Sequence, residues 1–141
     1  MSVMKQFDPI SSIENSALIL DGGEWPSFHD AEIHELKLWR GDVRPEDDVW
    51  IGPLLEMTFE LCALKDPYIV VLAFHDCEVI DFSDFKHQNG IFDMTFAFEE
   101  RGFLRNGEPM TPYIAVTMAQ SADTSLSLKC FRIEAKARRE R

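Results

Sequence analysis

Apolar and polar residues alternate without a break through one stretch, Leu55, Met57, Phe59 and Leu61 on one parity and Glu56, Thr58 and Glu60 on the other. A strand sends successive side chains to opposite faces, so this run buries one face and wets the other, whereas a helix would scatter the same residues around its surface. A second run, Phe92, Met94, Phe96 and Phe98 against Asp93, Thr95, Ala97 and Glu99, predicts another strand with four large side chains in the core. Residues 68–75 are nearly all apolar, the pattern of a central strand covered on both sides. Lys65-Asp66-Pro67 turns the chain so that this strand forms a hairpin with the first run.

The other segments extend the same theme. Ile33, Leu36, Leu38 and Trp39 alternate imperfectly, which reads as a strand over residues 31–40 with a bulge. Residues 41–53 hold Pro45, Gly52 and Pro53 among acidic residues and read as a long surface connection. Val79, Ile80, Phe82 and Phe85 form a bent or bulged edge, followed by a polar turn over residues 86–90. Asn106-Gly107 favours a tight turn, while Pro109 and Pro112 limit the pairing around it. Residues 113–120 and 126–135 supply the last two strands, joined at residues 121–124.

Ahead of these strands, Ser11-Ser12-Ile13-Glu14 has the capping-box pattern, with Ile13, Ala17 and Leu20 on one face and Gly22-Gly23 as a stop. One short helix is predicted there. Trp25-Pro26 then forces extended backbone into a loop over residues 24–30. The expected fold class is α+β: a single domain over 1–141, mostly antiparallel sheet of six or seven strands, with one short N-terminal helix. Residues 136–141 form a basic tail that is expected to fray. At 141 residues, 45% of them apolar and 11 of them Phe, one core can be built without staples.

Charge narrows the partners. Lys plus Arg number 14 and Asp plus Glu 25, a net of −11. Residues 129–141 hold six bases, Lys129, Arg132, Lys136, Arg138, Arg139 and Arg141, against two acids, so residues 1–128 carry 8 bases against 23 acids, a net of −15. Such a field repels phosphate backbones and anionic membranes and speeds encounter with a basic protein. Nucleic acid and membrane are therefore not expected partners, although acidity also serves solubility alone. Cys62, Cys77 and Cys130 are odd in number, widely spaced and without a Cys-x-x-Cys pair, which suits a reducing, cytoplasmic setting. Residues 1–8 lack the pattern of a signal segment, and no apolar run approaches the roughly 20 residues of a membrane span.

Catalytic signatures are weak. His29, His34, His75 and His87, with Asp30 and Asp76, are metal-ligand types, yet neighbouring strand residues diverge and only Glu32 and His34 share a face. A packed His bonding backbone is the simpler reading, and no metal or cofactor is expected. Cys77 beside His75 and Asp76 reads as a small buried residue rather than a nucleophile. Asp81 with Asp84 lacks calcium-loop spacing. Glu46, Asp47 and Asp48 beside Trp50 form either a solvated loop tip or an interface with an aromatic anchor and charged rim, and Trp50 could instead tuck into the core. Phe28-His29-Asp30 recurs as Phe74-His75-Asp76, a match short enough for chance or for two similar strand-end environments.

Gly23-Glu24-Trp25-Pro26-Ser27-Phe28-His29-Asp30-Ala31-Glu32-Ile33 resembles the opening signature of the immunity protein 50 family of bacterial polymorphic toxin systems. The resemblance covers these eleven residues; the later Phe-rich stretch is similar in style only. It implies a small cytoplasmic α+β protein without catalytic activity, whose partner is a cognate toxin that it blocks. A basic toxin domain would suit the acidic body. Within the signature, physical chemistry favours structure: Trp25 and Phe28 packing, Pro26 fixing the backbone, His29 and Asp30 bonding backbone where the strand begins. The partner contacts are then expected at Glu46, Asp47, Asp48 and Trp50. Two alternatives stay open: a metal-dependent or hydrolytic enzyme using the His and Asp residues, and a homodimeric structural module pairing through exposed strand edges.

Overall fold

A computed structural model of the chain describes residues 9–62, 67–82, 90–91, 93–119 and 125–140. Among these residues ten strands run in chain order: β1 (Glu32–Trp39), β2 (Asp42–Val43), β3 (Trp50–Ile51), β4 (Leu54–Leu61), β5 (Tyr68–His75), β6 (Val79–Phe82), β7 (Asp93–Glu99), β8 (Tyr113–Ala119), β9 (Ser125–Cys130) and β10 (Arg132–Glu140). One sheet has the order β1-β4-β5-β10, a second β6-β9-β8-β7, and β2 pairs with β3 alone. The named strand pairs are antiparallel. Among the described residues no helix is long and apolar enough to cross a membrane.

The period-two runs explain the first sheet. On β4 Leu55, Met57, Phe59 and Leu61 are buried, and Tyr68, Val70, Leu72 and Phe74 of β5 meet them from the neighbouring strand. The expected hairpin therefore forms, in register from Leu54 opposite His75 to Leu61 opposite Tyr68. The other face of β5 is half-buried except for the buried Ala73, so the strand is fully covered on one side only, not on both as its apolar run suggests. In β1 the register shifts between Ile33 and Glu35. That bulge moves inward-facing positions from odd to even numbers, which is why Ile33 and Leu36 both pack although they are three apart.

The two sheets share one core and one bent ribbon. β5 runs into β6 while β9 runs into β10, and the pairs His75 with Arg132 and Val79 with Lys129 bracket the bend. Four steps separate His75 from Val79 and three separate Lys129 from Arg132, so the first strand carries one extra residue at the corner. Asp76 takes up that excess at φ 58, the left-handed conformation that one type of bulge uses. The stretch 126–135, expected as one strand, is thus two, broken at Phe131 and assigned to different sheets. On the far side Gly90 and Ile91 bridge to Glu32 and Ala31, with Ile91 N donating to Ala31 O at 2.8 Å and Asp30 N to Ile91 O at 2.9 Å. The ring of strands closes there.

Three further expectations change. The capping-box region forms two short 3-10 turns, Pro9–Ser12 and Ser16–Ile19, rather than an α-helix. Between them Glu14 is drawn out to β10, its N–H bonding Ile133 O and its carbonyl accepting from Ala135 N, each at 2.9 Å. Backbone groups committed to a strand cannot also close helical turns, and the domain is mainly β rather than α+β. The basic tail does not fray within the described residues, because β10 pairs with β5 as far as Glu140 opposite Tyr68. Arg138 lies 4.0 Å from the Tyr68 ring centroid and donates to Leu20 O at 2.7 Å, fastening the N-terminal segment. Lastly, the apolar face of β7 fades outward: Met94 is buried, Phe96 half-buried and Phe98 40% exposed. Edge position explains this, since β7 has a partner on one side only.

The Asn106-Gly107 excursion is as expected, with Gly107 at φ 88 and a single bridge from Phe103 to Pro109. The turns expected at Lys65-Asp66, residues 86–89 and residues 121–124, together with Asp84, Phe85, His87 and Phe92, lie outside the described residues.

Candidate functional site

The connection at residues 41–53 contains the β2–β3 hairpin, with Val43 opposite Trp50. At its tip the Arg44 guanidinium grips Asp47, and Asp47 Oδ1 also accepts Val49 N at 3.1 Å. Asp48 follows at φ 56, its N–H bonding Arg44 O at 2.9 Å. The Arg44 hydrogen bond holds the Asp47 carboxyl below the usual carboxylate range. Asp47 therefore builds the loop, while Glu46 and Asp48 are exposed. Trp50 does not tuck in: it is 62% exposed, and Val43, Val49 and Ile51 around it are exposed too.

The base of this hairpin meets the corner of the ribbon. Cys77 N donates to Pro53 O at 3.0 Å, and a Cβ added to Gly52 would lie 2.7 Å from Asp76 Oδ1. Glycine at 52 is what lets the Asp76 carboxylate come so close. A cleft of about 300 Å³ results, lined by Trp50, Gly52, Pro53, Asp76, Cys77 and Glu78, with Phe131 at its side. Glu78 is anchored from below by the Tyr113 hydroxyl at 2.6 Å, a bond that also raises the Tyr113 pKa. The Phe131 and Tyr113 rings stand 5.1 Å apart, with Arg101 4.9 Å from the first and 5.1 Å from the second. Glu78 and Phe131 were not singled out from sequence. The doubled Phe-His-Asp was the available signal: both copies bury the Phe and set the Asp at positive φ, 62 for Asp30 and 58 for Asp76.

The signature residues lie at the closing seam. Phe28 is buried edge-on to Phe59 of β4 at 5.2 Å, and Trp25 stands 5.8 Å from Phe28 and 5.9 Å from Phe96 of β7. Pro26 is buried between them in the chain. These residues join the two sheets. His29 and Asp30 are 65% and 63% exposed and pair with each other at 3.1 Å instead of bonding backbone through their side chains. With Asp21, Ser27 and Cys62 they line a second cleft of about 290 Å³.

The histidines are dispersed. His34, the bulged residue of β1, lies 3.3 Å from Glu60, and His75 lies 3.0 Å from Glu134, whose carboxyl this bond holds below its ordinary value. Each described His thus meets a carboxylate of its own, contrary to the expected packing with a backbone bond. Among the described residues no three His, Cys, Asp or Glu gather in a way that could hold a metal ion. Cys77 donates to Phe74 O at 3.2 Å, and burial pushes its thiol up to about 11, the opposite of an activated nucleophile. Asp81 is exposed opposite Ser127.

Comparison with protein-family models, curated proteins and solved structures gives no match.

Proposed function

We propose that the chain is a non-catalytic binding protein that neutralises a cognate toxin by occluding it, with the β2–β3 hairpin as the leading part of its contact face. One observation carries this reading: Trp50 stands 62% exposed on a braced hairpin, with the exposed Val43 opposite it in the pairing, Val49 and Ile51 exposed on either side of it in the chain, and Asp42, Glu46 and Asp48 exposed on the same hairpin. An exposed apolar cluster with a large aromatic centre and a charged rim is the composition of a protein contact. The acidic body, net −15 over residues 1–128, favours a basic toxin domain and accelerates encounter with it. The signature over residues 23–33 supports the same family of functions by resemblance, while its buried aromatics account for it as a structural seam. In this reading the protein works in the cytoplasm, where its free cysteines stay reduced.

The test is protection. Cells harmed by the product of a neighbouring gene should survive when this chain is co-expressed, and the two purified proteins should bind in a calorimeter. Trp50→Ala and Glu46→Lys should weaken that binding by about tenfold or more each. Absence of both binding and protection would sink the reading.

A further inference from the structure

We infer that the corner cleft between the hairpin base and the bent ribbon is a site for one arginine side chain, presented by the protein partner. This inference rests on the reading of the hairpin as a contact face and supplies its chemistry. Trp50 and Phe131 contribute aromatic surface to the cleft, Asp76 and Glu78 contribute carboxylates, and among the described residues no basic side chain lines it. Aromatic faces and anions together select a cation, and a planar guanidinium satisfies both, stacking on a ring while its fork of N–H donors meets carboxylate oxygens. The molecule already uses this pairing beside the cleft, where Arg101 lies over both Phe131 and Tyr113.

The carboxylates are placed rather than merely present. Among the described residues Asp76 has no hydrogen-bonded or ion-paired partner for its side chain, unlike Asp47, which is held by Arg44. Its position is set by the bulge at φ 58 and by the missing side chain of Gly52. Glu78 is oriented through the Tyr113 hydroxyl. A volume of about 300 Å³ is small for a cofactor and suits a single side chain. The surrounding negative charge of the body favours the cation further.

The experiment titrates the intact protein with Nα-acetyl-arginine amide, and with the neutral citrulline analogue, while following the Trp50 indole N–H by NMR, assigned through Trp50→Phe. A saturable shift with the arginine compound and none with the citrulline compound is expected. Asp76→Asn keeps a residue that tolerates positive φ and should weaken the arginine response by about tenfold, with Glu78→Gln weakening it less. An unchanged thermal transition in both variants separates lost binding from lost fold. Equal response to citrulline, or full response in Asp76→Asn, overturns the inference. The product of a neighbouring gene against which the chain protects distinguishes the two readings: if it binds Asp76→Asn as tightly as the parent protein, the arginine site falls and the occlusion reading stands. If it binds neither protein while the arginine compound binds only the parent, the occlusion reading falls.

Discussion

Arg44 clasps Asp47 with two nitrogens, Nε at 3.0 and 3.1 Å from the two carboxylate oxygens and Nη2 at 2.5 Å from Oδ2. The hairpin tip thereby consumes one of the acids that sequence alone assigns to the partner. Because the folded Asp47 carboxyl is depressed by this bond, its contribution is complete above the ordinary Asp value of about 3.9 and is lost as pH falls through the lower folded value. An NMR titration of Asp47, followed also at the Val49 amide it accepts from, should show a midpoint below 3.9. In Arg44→Gln the midpoint should move up; an unmoved midpoint would contradict the clasp. It follows that Asp47→Lys disturbs the loop itself, and that Glu46→Lys is the cleaner test of charge at the contact face.

The signature aromatics and its polar pair should behave oppositely. Phe28 touches Phe59 and Trp25 across the seam and is 2% exposed, so Phe28→Ala should cost about 3–5 kcal/mol in denaturant unfolding. On a domain of ordinary stability that loss is a large fraction of the total. His29→Ala removes an exposed side chain and should stay within about 0.5 kcal/mol. A neutral Phe28→Ala would mean that the seam is not part of the core.

How much of this was legible can be judged from particular strands. β4 announces itself because its faces are sorted by parity and β5 because it is an almost unbroken apolar run, and the bulge in β1 shows as Ile33 and Leu36 falling out of step. The corner does not show, because Cys130, Phe131 and Arg132 continue a plausible strand and only the partner ribbon's extra residue forces the bend. The N-terminal helix misleads for a related reason: local capping chemistry favours it, while two long-range bonds from Glu14 to β10 decide otherwise. Trp50 and the acids of the hairpin could be picked out as surface chemistry. Asp76, Glu78 and Phe131 could not be joined to Trp50, since they meet only where the base of the hairpin packs on the corner of the ribbon.

Gly41 locks the other end of the hairpin. It sits at φ 90, and an added Cβ would collide with Ile51 O and lie 2.8 Å from the Gly52 carbonyl carbon, both backbone atoms that cannot swing aside. Gly41→Ala should therefore lose about 2–4 kcal/mol. Gly22→Ala, at φ 63 with nothing within 4 Å of the new carbon, meets only the left-handed penalty of about 1–2 kcal/mol. Paired denaturation curves check the ordering. Equal losses would show that the hairpin base yields, and with it the close approach of Gly52 to Asp76.

Thiol chemistry reports on the corner directly. Cys62 is exposed, whereas Cys77 and Cys130 are buried beside the bend, with thiols pushed by burial up to about 11 and about 12. The thiolate is the reactive form, so at pH 8 a chromogenic disulfide reagent should modify one of the three cysteines quickly. The other two should react at a rate set by opening of the structure and accelerate together through the denaturant transition. Cys62→Ser should abolish the fast phase and leave the slow one. If instead two thiols react quickly in native buffer, the ribbon opens locally at Asp76, Cys77 and Glu78, and the carboxylates there are not held in place for a partner's cation.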